Sequence, residues 1–187
     1  PNGVLNVVPG FGTEAGARLA AHPDVDGVSF TGSVPTGIEV AQGAVENVTN
    51  VHLELGGKSP NVVFPDAEMD SAIASTVTAI FANAGQVCSA GSRLLLHEEI
   101  SDAFLARLVT AVEALSVGPG VEDHDMGPLV SATQFETVTE YLAVGREEAG
   151  EPLVGGDSLE REGFFVEPTI FTGVDSSMRI AQEEIFG

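Results

Sequence analysis

The sequence predicts an α/β fold built from parallel βαβ units, and three observations predict it. Short β-rich runs alternate with amphipathic helical patterns. Glycine turns punctuate the joins between them. A hydrophobic content of 43%, with 22 Gly, 10 Pro and no Trp, fits an ordinary globular chain rather than a disordered one. At 187 residues there is room for one good-sized domain or parts of two, and for a buried core.

The elements follow in order. Gly3–Gly10 is a β-rich run closed by Pro9-Gly10 and is expected as a buried strand. Thr13–His22 has helical spacing, with Ala15, Leu19 and Ala20 inward. Asp26–Thr31 is a second strand, followed by Gly32-Ser33 and a helix over 35–45. Asn50–Leu55 is a third strand, ending at Gly56-Gly57, the expected domain boundary. Beyond it, Asn61–Phe64 is a strand, and 66–83 is a helix with Met69, Ile73, Val77, Ile80 and Phe81 on one face. Ser92–Leu96 is a strand. A helix capped by Ser101 carries the stripe Phe104, Leu105, Leu108, Val109, Val112 and Leu115, and stops at Gly118-Pro119-Gly120. Pro128–Glu148 is helical, and Gly163–Phe171 is a late strand.

Charge excludes several classes of partner. Twenty-eight acidic residues face seven basic ones, a net charge of −21, and Lys58 is the single lysine. A field of that sign repels nucleic-acid phosphates and anionic membrane surfaces. The acids are spread along the chain rather than gathered in a tail, the composition expected of a halophilic source, where salt screens self-repulsion. No apolar run approaches the roughly 18 residues of a membrane span, and no basic-then-apolar leader opens the sequence. One cysteine rules out an internal disulfide framework and favours a reducing, cytoplasmic location. His22, His52, His97 and His124 lack metal-ligand spacing, so no metal site is expected. The chain starts at Pro1 and stops at Gly187 within an apolar run, so it reads as a piece of a longer protein.

Two residues stand out for chemistry. Cys88 follows Gly85-Gln86-Val87 just past the end of an amphipathic helix and precedes small residues, a loop context rather than a core one. A thiol there is a candidate nucleophile if a base or oriented N–H groups are near, although single cysteines are commonly small core residues. Glu54 ends an apolar strand, where a carboxylate is costly unless it reaches a cavity, a partner or solvent. Facing a cleft and partly desolvated, it would be a general base. His52 lies on the same strand face, so a Cys–His dyad is a further arrangement. Gly10-Phe11-Gly12-Thr13-Glu14-Ala15-Gly16 misses the Gly-x-Gly-x-x-Gly spacing by one residue. Phe30-Thr31-Gly32-Ser33 sits between strand and helix, where backbone N–H groups can face a phosphate or simply form a tight turn.

Seven segments together resemble the aldehyde dehydrogenase superfamily. They are Leu5–Gly12, Phe30-Thr31-Gly32-Ser33, Leu53-Glu54-Leu55-Gly56-Gly57-Lys58-Ser59-Pro60, Phe81–Ser92, Gly127-Pro128-Leu129, Phe165–Thr169 and Glu183-Glu184-Ile185-Phe186-Gly187. The glutamate and cysteine motifs, in this order and at this separation, are the most specific. The resemblance implies a partial Rossmann-type cofactor domain over 1–56 and a partial α/β catalytic domain over 57–187. It implies Cys88 as nucleophile and Glu54 as general base. Gly32, Ser33, Val34, Pro35, Thr36 and Gly37, with Gly10, would belong to an NAD or NADP site. Glu184 resembles the family glutamate that binds the nicotinamide ribose, with Phe186 beside it.

The implied activity is oxidation of a small aldehyde to a free acid, by a homodimer or homotetramer. A CoA-acylating relative and a non-catalytic binding or structural member are the alternatives; Glu54 favours hydrolysis. The family's side-chain asparagine donor and its adenosine-ribose lysine would lie upstream of Pro1, and Lys58 is not that lysine. The 187 residues alone are therefore expected to be inactive.

Overall fold

A computed structural model describes residues 1–187 as two compact units, Pro1–Gly56 and Gly57–Gly187. The first is a single βαβ unit. A π-helical turn over Gly12–Gly16 runs into α1 (Ala17–Ala20), followed by β1 (Gly27–Gly32), α2 (Val34–Val45) and β2 (Asn50–Leu55). β1 and β2 pair in parallel, Gly27 with Asn50 through Gly32 with Leu55. Ser33 caps α2, accepting the Thr36 N–H at 3.4 Å, and Pro35 sits in the first turn, where its missing N–H costs nothing. α2 lies close on the sheet because position 37 is glycine: a Cβ there would meet Leu55 Cδ2 at 2.7 Å. Asn47 Nδ2 and Thr49 Oγ1 donate to the carbonyls of Ala21 and Val25, tying the end of α2 back to the α1–β1 connection.

In the second unit β3 (Pro60–Val63) pairs in parallel with β4 (Arg93–Leu96), with α3 (Met69–Phe81) as the crossover. Then come α4 (Ser101–Glu113), α5 (Ala132–Ala149) and the short α6 (Arg179–Gln182). Glu68 caps α3 by accepting from Asp70 N and Ser71 N, and Ser131 caps α5 by accepting from Gln134 N. One core joins Val63, Ile73, Phe104, Leu108 and Val112, so the apolar stripes of α3 and α4 close over β3. A second joins Ala84, Met126, Leu129, Val138 and Val166. No helix is long and apolar enough to cross a membrane.

Several expectations need correction. The segment 3–8 forms no strand: Val4, Leu5, Val7 and Val8 are 63–85% exposed, because β1 pairs only with β2 and offers this run no ladder. The helix expected over 13–22 is shorter and begins as the π turn. Ser101 is not a cap. His97 Nδ1 accepts Glu99 N instead, a 3₁₀ turn over Glu98–Ile100 starts the helical path, and Ser101 Oγ donates to the Glu98 carbonyl. α5 begins at Ala132 after its Ser131 cap, not at Pro128. The run 163–171 makes only isolated bridges, Ser158 with Val166 and Val154 with Ile170. Pro168 has no N–H to give a ladder, and left-handed Gly155, Gly156 and Gly163 break the pleat.

Lys58 enters the second unit half-buried. Burial, with Arg93 beside it, lowers its ammonium to about 8 against the opposing pull of Glu184 and Glu183. The folded chain thus loses this proton near pH 8, while the unfolded chain keeps it to about 10.5. Across that window the unfolded state binds more protons, so stability rises with pH. Lys58→Met removes this contribution. Its stability relative to the parent, from urea denaturation, should therefore fall between about pH 7.5 and about pH 10; a pH-independent difference would contradict the burial of Lys58. Phe104, fully buried, sets the scale of the α3–α4 core. Phe104→Ala should cost about 3–5 kcal/mol in the same assay, and a loss below about 1 kcal/mol would mean that this core is not close-packed.

Candidate active site

In the first unit the parallel register brings two of the sequence motifs to one sheet edge. Thr31 pairs with Glu54 and Gly32 with Leu55, so Ser33 and Glu54 both lie at the C-terminal ends of adjacent strands. Ligands of open α/β sheets bind at that edge. The alternation along β2 sends Val51, Leu53 and Leu55 to the partly buried face and His52 and Glu54 to the open one. Glu54 is therefore not desolvated as expected. Its side chain is 62% exposed and its Oε1 lies 2.9 Å from His52 Nε2. The imidazole's partner is thus the carboxylate two residues along the strand.

The start of α2 suits an anion. Its first turn carries no acid, in a chain that has 28. The N-terminal end of a helix attracts negative charge, and Ser33 and Thr36 add hydroxyls 2.9 Å apart. Ser33 Oγ accepts the Thr36 N–H and shares one further hydrogen bond with Thr36 Oγ1, in which either hydroxyl can be the donor. Val34 is half-exposed at 47%, Pro35 and Thr36 are exposed, and Gly37 is buried against the sheet. Gly10 lies apart from the β1–α2 turn in sequence, exposed just before the π turn. A helix start with two hydroxyls and no acid is chemically suited to a phosphate group.

In the second unit the cysteine loop is built from an abrupt stop of α3. Asn83, Ala84 and Gly85 all take positive φ, at 54°, 53° and 72°. Gly85 is needed both for that φ and for space, since a Cβ there would lie 2.8 Å from the Gly187 carbonyl carbon. Asn83 and Gln86 lock the turn reciprocally: Asn83 Nδ2 donates to the Gln86 carbonyl at 3.0 Å, and Gln86 Nε2 donates to the Asn83 carbonyl at 3.1 Å. Gln86 Oε1 then accepts the Val130 N–H at 2.9 Å, pinning the loop to the start of α5. Cys88 is exposed on this loop, between the Val87 N–H to Gly85 carbonyl bond and the Ala90 N–H to Val87 carbonyl bond. The Cys88 N–H itself makes no hydrogen bond within the chain.

Two further motifs converge on the loop. Gly57 abuts it, its Cβ position 4.0 Å from the Cys88 carbonyl oxygen, and the Gly57 N–H donates to Glu184 Oε1 at 3.2 Å. Phe186 is held at φ 61°, an unusual conformation for a bulky residue. A cavity of about 560 Å³ in this unit has Gly57, Lys58, Val87, Glu184 and Phe186 on its wall, while Cys88 lies outside that lining. No group of three or more His, Cys, Asp or Glu is arranged to hold a metal. Two supports were missed in the sequence, Gln86 as the loop lock and His52 as the partner of Glu54. The alternation of β2 pointed to the second; nothing in the sequence pointed to the first.

Known proteins match this chain along its whole length. The profile described as Aldehyde dehydrogenase family matches residues 1–187. A hydroxyisobutyraldehyde dehydrogenase of Mycolicibacterium austroafricanum is 51% identical over the whole chain, which covers 38% of that protein. The betaine aldehyde dehydrogenase of Bacillus subtilis is 46% identical, again over the whole chain and 39% of the relative. The NAD+ complex of aldehyde dehydrogenase from Bacillus cereus superposes with a TM-score of 0.96 at 44% identity, over all of this chain and 38% of that one. The chain thus spans less than two-fifths of the length of these relatives. Matched from end to end in both sequence and fold, it belongs to the aldehyde dehydrogenase family.

Proposed function

We propose that the whole protein oxidises an aldehyde to a carboxylic acid with NAD or NADP, and that Cys88 is the nucleophile and Glu54 the general base. One observation carries the reading: in a chain of this family, the only cysteine is exposed on a strained loop. The first unit acts as the second part of the cofactor domain, and the second as the larger, first part of the catalytic domain. The NAD+ complex of the Bacillus cereus relative supports a nicotinamide cofactor here. Within the proposal, Gly32 to Gly37 would hold its pyrophosphate, and Glu184 and Phe186 its nicotinamide end.

An aldehyde carbon releases hydride only once it is tetrahedral. The Cys88 thiolate adds to the carbonyl carbon, forming a C–S bond and moving the π electrons to oxygen. The free Cys88 N–H is a donor for that oxyanion. When bound, the nicotinamide supplies the hydride acceptor. Collapse of the oxyanion breaks the C–H bond and leaves a thioester on Cys88. Glu54, hydrogen-bonded to His52, takes a proton from water as the water attacks the thioester; the C–S bond breaks and the acid leaves. Sulfur suits both halves, being a strong nucleophile and a good leaving group.

The acidic surface belongs to the same proposal. Arg107, Arg146 and Arg179 pair with only Asp70, Glu151, Asp157 and Glu183 among the 28 acids. The remainder repel one another until salt screens them, which supports a salt-rich working environment.

In the whole protein, Cys88→Ala should abolish NAD(P)H formation across an aldehyde panel. Glu54→Gln should keep a first-turnover burst and slow the steady state by about 100-fold or more. Unchanged turnover in Cys88→Ala would sink the assignment. Melting temperature should climb steadily as NaCl is raised from about 0.1 M to about 2 M; a protein most stable at the low end would refute the salt adaptation.

A further inference from the structure

The last ten residues, Met178–Gly187, carry the proposed cofactor residues Glu184 and Phe186 and contain only one helical turn, α6. Their conformation is imposed from outside by three side chains of one helix. Gln134, Tyr141 and Glu148 stand seven residues apart on α5, a spacing that puts them in one stripe down the helix. Each grips a different part of the segment. Glu148 accepts the Arg179 and Ile180 N–H groups at 3.1 and 3.2 Å, capping α6. Tyr141 donates its hydroxyl to Glu183 Oε2 at 2.6 Å. Gln134 Nε2 donates to both the Ile185 and Phe186 carbonyls at 2.9 Å. Ser131 and Gln134 have the spacing of a capping box, in which the glutamine would turn back to the Ser131 N–H; here its amide is spent on the segment instead.

The middle contact bears directly on Glu184. Glu183 has extended backbone, φ −96° and ψ 144°, so the side chains of 183 and 184 leave on opposite sides. Glu183 is held on the α5 side by Tyr141 and by Arg179, whose Nη2 lies 3.0 Å from Oε2 and whose guanidinium stands 5.5 Å from the Tyr141 ring centroid. Arg179 and then Tyr141 keep the Glu183 carboxyl below its usual range, while burial and then Glu183 push the Tyr141 phenol up. Around neutral pH the pair is thus a charged acceptor and a neutral donor, a contact that does not switch. Glu184 is turned the other way, exposed, with the Gly57 N–H on its Oε1. Further along, Gln134 holds Phe186 in its left-handed conformation, and Gly187 packs on Val138 of the same helix and on Gly85 of the cysteine loop.

We propose that Gln134, Tyr141 and Glu148 are positioning residues for the nicotinamide end of the cofactor: as a splint on α5 they fix the side and register at which Glu184 and Phe186 meet it. This rests on the reading of Glu184 as a cofactor ligand. None of the three touches the reacting atoms, so their loss acts on cofactor binding rather than on Cys88.

The test uses the whole protein. NAD+ dissociation constants come from calorimetry without aldehyde; KM values for NAD+ and aldehyde, the alkylation rate of Cys88 and the melting temperature are read beside them. Tyr141→Phe, which removes one oxygen, should raise the Kd and KM for NAD+ about fivefold. Aldehyde KM and Cys88 alkylation should stay at parent values. Gln134→Leu and Glu148→Gln should move the same two constants in the same direction, and they carry the test should Tyr141→Phe not fold. Glu136→Gln, off the stripe on the same helix, should bind NAD+ like the parent. Weak NAD+ binding in Glu184→Gln beside parent-like binding in the three stripe variants would overturn the splint alone. Parent-like binding in Glu184→Gln would overturn the reading of Glu184 and the splint with it. Loss of NAD+ affinity in Glu136→Gln equal to that in the stripe variants would reduce α5 to a merely structural role.

Discussion

The left-handed run at Asn83, Ala84 and Gly85 is the constraint on which the second unit turns. Left to its composition, α3 would continue, because alanine is a strong helix former and nothing before Gly85 stops it. Two non-glycine residues with positive φ cost about 1 kcal/mol each. Three hydrogen bonds of about 1 kcal/mol each offset that strain, two exchanged between Asn83 and Gln86 and one from Val130 to Gln86. Burial of Ala84 in the second core adds to them. The outcome is a chain that reverses within three residues and exposes a thiol that would otherwise face the helix packing.

The same reversal organises what surrounds it. Gly85 without a side chain lets Gly187 come within contact, so the segment bearing Glu184 and Phe186 ends against the Cys88 loop. Gln86 ties that loop to the residue before the Ser131 cap, and α5 then grips the Glu184 segment along its length. One helix therefore registers both the Cys88 loop and the Glu184 segment, and a shift of α5 would move both. The first unit uses a different device. Two strands ending in step bring Ser33 and Glu54 to one edge with no strained backbone at either residue.

The α/β class and parallel pairing were legible in the sequence because hydrophobic period and glycine punctuation are local signals, and α2, β2 and the α4 stripe follow them closely. The exposed loop at Cys88 was legible too, from Gly85 and the small residues after it. Features set by distant partners were not. Ala84 carries no mark of its left-handed backbone, since only glycine advertises positive φ. The run 3–8 has β-rich composition, but composition cannot supply a neighbouring strand. His97 took the capping role from Ser101 because a 3₁₀ turn lengthened the helical path by three residues. Gln134, Tyr141 and Glu148 are a polar stripe, and periodicity searches follow apolar ones. Their partners lie some 30 to 50 residues away and show only in three dimensions.

The central claim is a covalent bond to one sulfur, and it can be weighed. The whole protein is mixed with an aldehyde and NAD+, quenched in acid within the first turnovers, digested, and the peptide containing Cys88 analysed by mass spectrometry. The account predicts an added mass equal to the acyl group of the aldehyde on Cys88. The adduct should be absent when NAD+ is left out and should accumulate when the Glu54 carboxylate is replaced by an amide. Turnover to acid with an unmodified Cys88 peptide at every quench time, or an acyl group found on another residue, would contradict it.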